Sequence, residues 1–251
     1  MTPDQLYAFF AFPSTCALGK RVFKKLFLQH GTLNAADKRV LSQTVGTITW
    51  QFTLKPSTLP VQPFRDDEHE VDEIAVLEVT ISDRREDKRV REFIHRSIPY
   101  PLIVVLADDE GVQLSVAPKR VSRADKNRIV IDAFDTTPWL DGDERSPAEQ
   151  AFLDSLALSG LPHTHFHALY QAWVQRVVAQ SCAALSGTFR LVPAEAPAGR
   201  RARLDACRAL VREVRSLRAA LRAETAFARK VELNTRIKQL EAEYAHQLET
   251  L

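Results

Sequence analysis

Ile74–Ile81 reads IAVLEVTI and Leu102–Ala107 reads LIVVLA. Alternation in the first stretch separates a wholly apolar face (Ala75, Leu77, Val79, Ile81) from a mixed one (Ile74, Val76, Glu78, Thr80), which predicts a strand with the apolar set toward the core. The second stretch is apolar without interruption, the pattern of a central strand covered on both faces. Between them Asp83 is placed to cap a helix over Arg84–Ser97, with Val90, Phe93 and Ile94 inward and Pro99 and Pro101 behind its end. After LIVVLA, Asp108–Gly111 supplies a turn and Val112–Ala117 an antiparallel partner. Arg128–Phe134 (RIVIDAF) is a further strand candidate in the same series. This order predicts an α/β (mixed α+β) fold, a small mixed sheet flanked by helices.

Working outward, Thr2 and Pro3 open a short helix that Pro13 ends. A second helix is expected from Ser14 through Val22, Phe23, Leu26 and Phe27 to Gly31, and a third after Asn34 with Ala35, Val40 and Leu41. Val45–Leu54 alternates as a strand, Pro56–Pro63 is a loop, and Asp66–Glu73 carries six carboxylates and is expected to be solvated. Ser146–Glu149 forms a capping box, and Pro162 opens a long helix through Gly187 carrying Leu169, Trp173, Val177 and Leu185. Pro193–Gly199 reads as a linker, so the expected division is a globular domain over 1–192, a linker over 193–199 and a helical arm over 200–251.

Beyond Gly199 there is neither Pro nor Gly. Leu210, Val214, Leu217 and Leu221 recur at four, three and four, a coiled-coil-like seam. A second seam runs through Val231, Asn234, Ile237 and Leu240 and on to Tyr244, Leu248 and Leu251, with Asn234 as a polar register marker. The two fall out of phase across Arg222–Lys230, so the arm is either one long helix with a stutter or a helical hairpin. Residues 200–230 hold ten Lys or Arg against three acids, net +7, while residues 231–251 are net −2 and the rest −3. A formal charge of +2 therefore conceals a basic element suited to an anionic partner.

With 251 residues, 45% hydrophobic, 26% charged and only 8 Gly, the chain is neither disordered nor fibrous. Three scattered cysteines, Cys16, Cys182 and Cys207, suit a reducing compartment. Asp4 stands where a signal peptide would carry a cation, and no apolar run reaches the ~18 residues of a membrane span. A cytoplasmic protein without membrane contact is expected.

Candidate sites are few. Ser14–Lys20 lacks the first glycine of a phosphate loop, and Arg21 replaces its hydroxyl residue. His163 and His167 would share a helix face at i and i+4, but two ligands do not make a zinc site, so no metal or other cofactor is expected. Asp72, Glu73 and Glu78, with Lys55 on the preceding strand, resemble the acids and lysine of a Mg²⁺-dependent restriction-type nuclease. Thr80 occupies the lysine position of the E-x-K motif, however, and an ordinary strand residue beside a solvated acidic loop accounts for Glu78 equally. Arg208, Arg212, Arg215, Arg218 and Arg222 line up at spacings of three and four. They suit either phosphate contacts or ion pairs with another helix.

Several segments together resemble a bacterial domain-of-unknown-function family, number 4391. They are Phe12–Lys20 with Lys24, the strand Ile48–Leu54 with Trp50 and Lys55, Asp72–Val79 (DEIAVLEV), Ile94–Pro101 (IHRSIPYP) leading into LIVVLA, and Phe227–Leu240 (FARKVELNTRIKQL). The resemblance implies an accessory protein found near the helicases and methyltransferases of restriction or phage-defence systems, and it supplies no active site. The expected function is a non-catalytic subunit docking its arm on a nucleic-acid-processing partner such as the helicase or methyltransferase of a defence operon. The alternatives are a nuclease or nuclease relic, and direct DNA or RNA binding by the basic arm. Homo-oligomerisation through the arm is compatible with each.

Overall fold

In the computed structural model, β5 (Ile74–Ile81) and β6 (Leu102–Ala107) lie side by side and parallel, in register from Ala75 opposite Leu102 to Thr80 opposite Ala107. Parallel neighbours need a crossover, and α4 (Asp87–Ser97) provides it, entered through a 3₁₀ turn (Arg84–Glu86) whose Arg85 amide donates to the Asp83 side chain. The structure describes residues 1–30, 33–125, 128–142, 144–192 and 196–251, which form two compact units, 1–180 and 181–251.

In the first unit the remaining elements are α1 (Pro3–Phe10), β1 (Ala17–Arg21), α2 (Lys24–His30), α3 (Ala35–Gln43), β2 (Val45–Leu54), β3 (Phe64–Arg65), β4 (Glu70–Val71), β7 (Gly111–Val116), β8 (Lys119–Val121), β9 (Ile129–Ile131), β10 (Asp135–Thr136), β11 (Leu140–Asp141) and α5 (Pro147–Ser155). A long α6 (Phe166–Ser186) carries the chain across the unit boundary. The main sheet runs β1-β2-β5-β6-β7-β10, with β11 also on β7, and every pairing other than β5–β6 is antiparallel. On one face Ala75, Leu77, Val79, Val104 and Leu106 pack with Val90, Phe93 and Ile94 of α4 and with Val40 and Leu41 of α3. Ile74, Val76, Ile103 and Val105 are equally buried on the other face. There the Tyr170 hydroxyl of α6 donates to the Leu102 carbonyl and accepts from the Ala117 amide. Thus β5 is covered on both faces and not only through its Ala75–Ile81 set.

Other expectations are corrected. Ser14–Cys16 is a single 3₁₀ turn followed by β1, and the helix begins only at Lys24. Pairing with β2 overrides the helical spacing, and Gly19, at φ +60°, sits at the register shift of that edge strand. The expected stop at Gly31 lies outside the described residues. The acidic stretch after Arg65 is partly ordered as a ribbon of β3 with β4, and Arg65 pairs with Glu70 and Asp72. RIVIDAF does not join the main sheet; β9 pairs with β8 as a separate ribbon. The helix expected from Pro162 starts at Phe166, after the Phe166 amide bonds the Gln62 carbonyl.

The second unit contains α7 (Pro197–Ala223) and α8 (Phe227–Glu249). Of the expected linker, Pro193–Glu195 lies outside the described residues, whereas Pro197–Gly199 forms the first turn of α7, where proline loses no helical hydrogen bond. Glu224 ends α7, and its carboxylate accepts from the Thr225 and Ala226 amides before α8 starts. The phase break is therefore a hairpin. Contacts of Arg200 with Leu251, Cys207 with Gln247 and Glu213 with Arg236 show the two helices antiparallel. Among the described residues no helix is long and apolar enough to cross a membrane.

Candidate functional site

The hairpin is held along one stripe. Leu210, Val214, Ile237 and Leu240 are buried together, with Leu217, Leu221 and Tyr244 packed at their edge. Leu233 completes the stripe on α8, while Val231 and Asn234 are exposed and stand outside the seam. The reason is helical geometry. Steps of three, as in 231-234-237-240, drift by about 60° each on a helix of 3.6 residues per turn, whereas 233-237-240-244 alternates four and three and stays on one face. Asn234 therefore marks no register.

At about 100° per residue, Arg208, Arg212, Arg215, Arg218 and Arg222 occupy an arc of about 120°, centred about 130° from the seam. All five are exposed. Arg218 bonds Glu241 of α8 at 2.6 Å, and Arg208 lies 3.7 Å from Asp205. Among the described residues Arg212 and Arg215 make no ion pair. Across the hairpin Arg236 meets Glu213 at 3.1 Å. The side chains of these cross-hairpin pairs are 42–59% exposed, so each adds little stability. Between the stripe and the seam lies a groove of about 340 Å³, floored by Leu210, Val214 and Tyr244 and rimmed by Arg215, Arg218 and Arg222. Arginine beside apolar surface is the composition that anchors protein interfaces.

The acidic candidates do not converge. Glu78 sits mid-strand opposite Thr49, accepting from the Tyr7 hydroxyl at 3.0 Å and the Gln51 amide at 2.9 Å. Burial, with the neighbouring Glu78 carboxylate, pushes the Tyr7 phenol well above its ordinary pKa. Lys55 and Glu73 lie at the other end, just past the Leu54–Ile74 pair. Five residue steps along the strand, roughly 16 Å, separate Glu73 from Glu78. Asp72 is engaged by Arg65. Among the described residues no three His, Cys, Asp or Glu side chains are grouped so as to hold a metal ion.

His163 and His167 do not share a helix face, because His163 precedes α6 and lies against the Leu161 carbonyl. His167 instead stacks on Phe64 at 4.9 Å and approaches His69 at 4.4 Å, and His165 stacks on Phe64 at 4.3 Å. Desolvation, with His69 and His165 adding to it, lowers the His167 pKa to about 4, so this cluster is neutral packing near pH 7 at His167.

Leu233 and Glu241 are the site residues that sequence reasoning missed. A strict search for four-three spacing would have found Leu233, whereas Glu241 is defined only by the fold-back of α8. No curated protein and no solved structure matches the chain significantly. The family model described as Domain of unknown function (DUF4391) matches residues 10–243, and the chain belongs to that family.

Proposed function

We propose that this protein is an accessory, non-catalytic subunit of a bacterial defence system that docks its C-terminal hairpin on a nucleic-acid-processing partner, the helicase or methyltransferase of its operon. The observation that carries this reading is the apolar groove on the hairpin, edged by exposed arginines and continued by the unpaired Arg212 and Arg215. Its complement is an acidic amphipathic helix, apolar on one face to fill the groove and carboxylate-rich at its margins. The three free, buried cysteines support a reducing cytoplasmic setting.

Co-expression of the full chain with the helicase or methyltransferase encoded beside it tests the reading. A stable complex is expected that Arg212→Glu combined with Arg215→Glu abolishes. Absence of a complex with either enzyme, or one indifferent to the double reversal, would sink it. The same arginine arc favours direct nucleic-acid binding as a second reading, which predicts an affinity falling linearly in log–log fashion with salt. Phe227, 81% exposed, and Val231 one turn on give α8 another apolar stripe, and self-association through it would appear as a dimer in the light scattering of the free protein.

A further inference from the structure

The last turn of α4, the Ile98–Pro99 segment after it and the β8–β9 ribbon enclose a cleft of about 640 Å³. Small-molecule sites span roughly 300–1,000 Å³. His95 lines this cleft and is wholly buried. Its Nε2 lies 3.1 Å from Ser115 Oγ, and its Nδ1 is buried with no hydrogen-bond partner among the described residues. Burial, reinforced by Lys119 and Arg91, holds the imidazole far below its ordinary pKa, so the ring is neutral. The Ser115 hydroxyl can donate or accept, which leaves Nδ1 free to serve as either acceptor or donor.

Lys119 stands beside it with its stem buried. Its amine donates to the Ile98 carbonyl and, at 2.8 Å, to the Tyr100 carbonyl, and burial lowers its pKa to about 7, so it is only partly charged near neutral pH. Arg128 and Arg96, the latter also bonded to Asp37 at 3.2 Å, line the cleft, and Ile131 and Phe134 give it an apolar wall, the Phe134 ring centroid lying 6.1 Å from that of His95. Asp125 is the one acid among these lining residues. Two arginines, a lysine whose burial lowers its pKa to about 7, and an apolar wall over a buried neutral imidazole describe a ligand with an anionic end and a planar body.

We propose that this cleft binds a mononucleotide, its phosphate toward Arg128 and Arg96 and its base along Phe134, beside the buried His95 ring. Neither face of the hairpin is involved, so the inference stands apart from the docking role.

The test titrates the full-length, histidine-¹⁵N-labelled protein with AMP, GMP, CMP, UMP and inorganic phosphate, following the ring nitrogens by NMR and affinity by calorimetry. At least one nucleotide is expected to bind saturably and shift His95 Nδ1, with inorganic phosphate at least roughly tenfold weaker because it lacks the planar body. Arg128→Glu, an exposed change that leaves the fold intact, is expected to weaken the nucleotide roughly tenfold, the size of one charge-assisted contact. The proposal is overturned if no nucleotide moves His95 Nδ1, if phosphate binds as tightly as the best nucleotide, or if Arg128→Glu leaves the affinity unchanged.

Discussion

In β6 every side chain is buried, whereas α7 buries a single stripe of Arg200, Leu204, Cys207, Leu210 and Val214 and gives much of the remaining surface to arginine. The strand has no position to spare for anything but cohesion. The helix divides its residues between those that hold it to α8 and those that face outward. Cohesion and display are thus superimposed nowhere in the sheet and separated by face in the hairpin. The three tryptophans, Trp50, Trp139 and Trp173, all belong to residues 1–180, so their fluorescence follows that unit while far-UV circular dichroism follows both.

The sharpest break is Leu77→Ala, which empties a fully buried site between the sheet and the helices on it. A loss of about 3–5 kcal/mol is expected, read as a lower urea midpoint by tryptophan fluorescence with an unchanged slope. Asp37→Ala comes next. This carboxylate is 1% exposed, closes the capping box with Asn34 at the start of α3, and meets Arg89 at 3.0 Å and Arg96 at 3.2 Å. Its removal is expected to cost roughly 2–3 kcal/mol in the same assay, moderated because both arginines can rehydrate.

Leu240→Ala carries the comparison to the other unit. A cost of about 2 kcal/mol is expected, confined to residues 181–251: faster amide exchange across Phe227–Glu249 with the fluorescence midpoint unmoved. A shifted tryptophan midpoint would show that the two units do not melt separately.

Asp108 offers a smaller, pH-dependent effect. The Arg84 guanidinium, bonded to Asp108 and 2.7 Å from Asp141, together with the Gly111 and Glu110 amides, lowers the Asp108 carboxyl to about 2 against partial burial that opposes the shift. A depressed folded pKa stabilises above the unfolded value near 4, and that stability is lost as pH falls through about 2. Asp108→Asn is therefore expected to cost on the order of 1–2 kcal/mol at pH 7, with the gap from the parent chain closing as the urea titrations approach pH 2. Smallest of all, Arg212→Ala with Arg215→Ala should change stability by less than about 0.5 kcal/mol, since neither side chain holds the hairpin together. An effect above that in thermal melts would assign these arginines to cohesion and remove them from display.

The elements legible in the sequence are those whose period survives burial. β5, β6 and β7 follow their alternation, their apolar run and their turn, and Asp83 caps the 3₁₀ turn that leads into α4, while the α-helix itself starts only at Asp87. β1 was hidden because all five of its residues are exposed and only the backbone pairs, so no side-chain period of two marks it. β9 has the composition of a sheet strand, but its partner is the short β8, a matter of tertiary pairing. The arginine arc could be counted along one helix. The groove could not, because Tyr244 and Glu241 reach it from α8. Likewise His95, Ser115 and Lys119 lie on α4, β7 and β8, with β6 between the first two, and no spacing rule links a helix's last turn to two strands beyond it.

The parallel union of β5 with β6 also sets an order of events as the chain is made. β2 can zip onto β5 as soon as both emerge, whereas β6 must wait for residues 82–101 to be synthesised and for α4 to coil. During that interval the bare flank of IAVLEVTI is open to another nascent copy, a hazard of slow, non-local strand assembly. Production at lower temperature, or with chaperones that shield extended segments, should therefore raise the yield of this protein more than that of one assembled from hairpins alone.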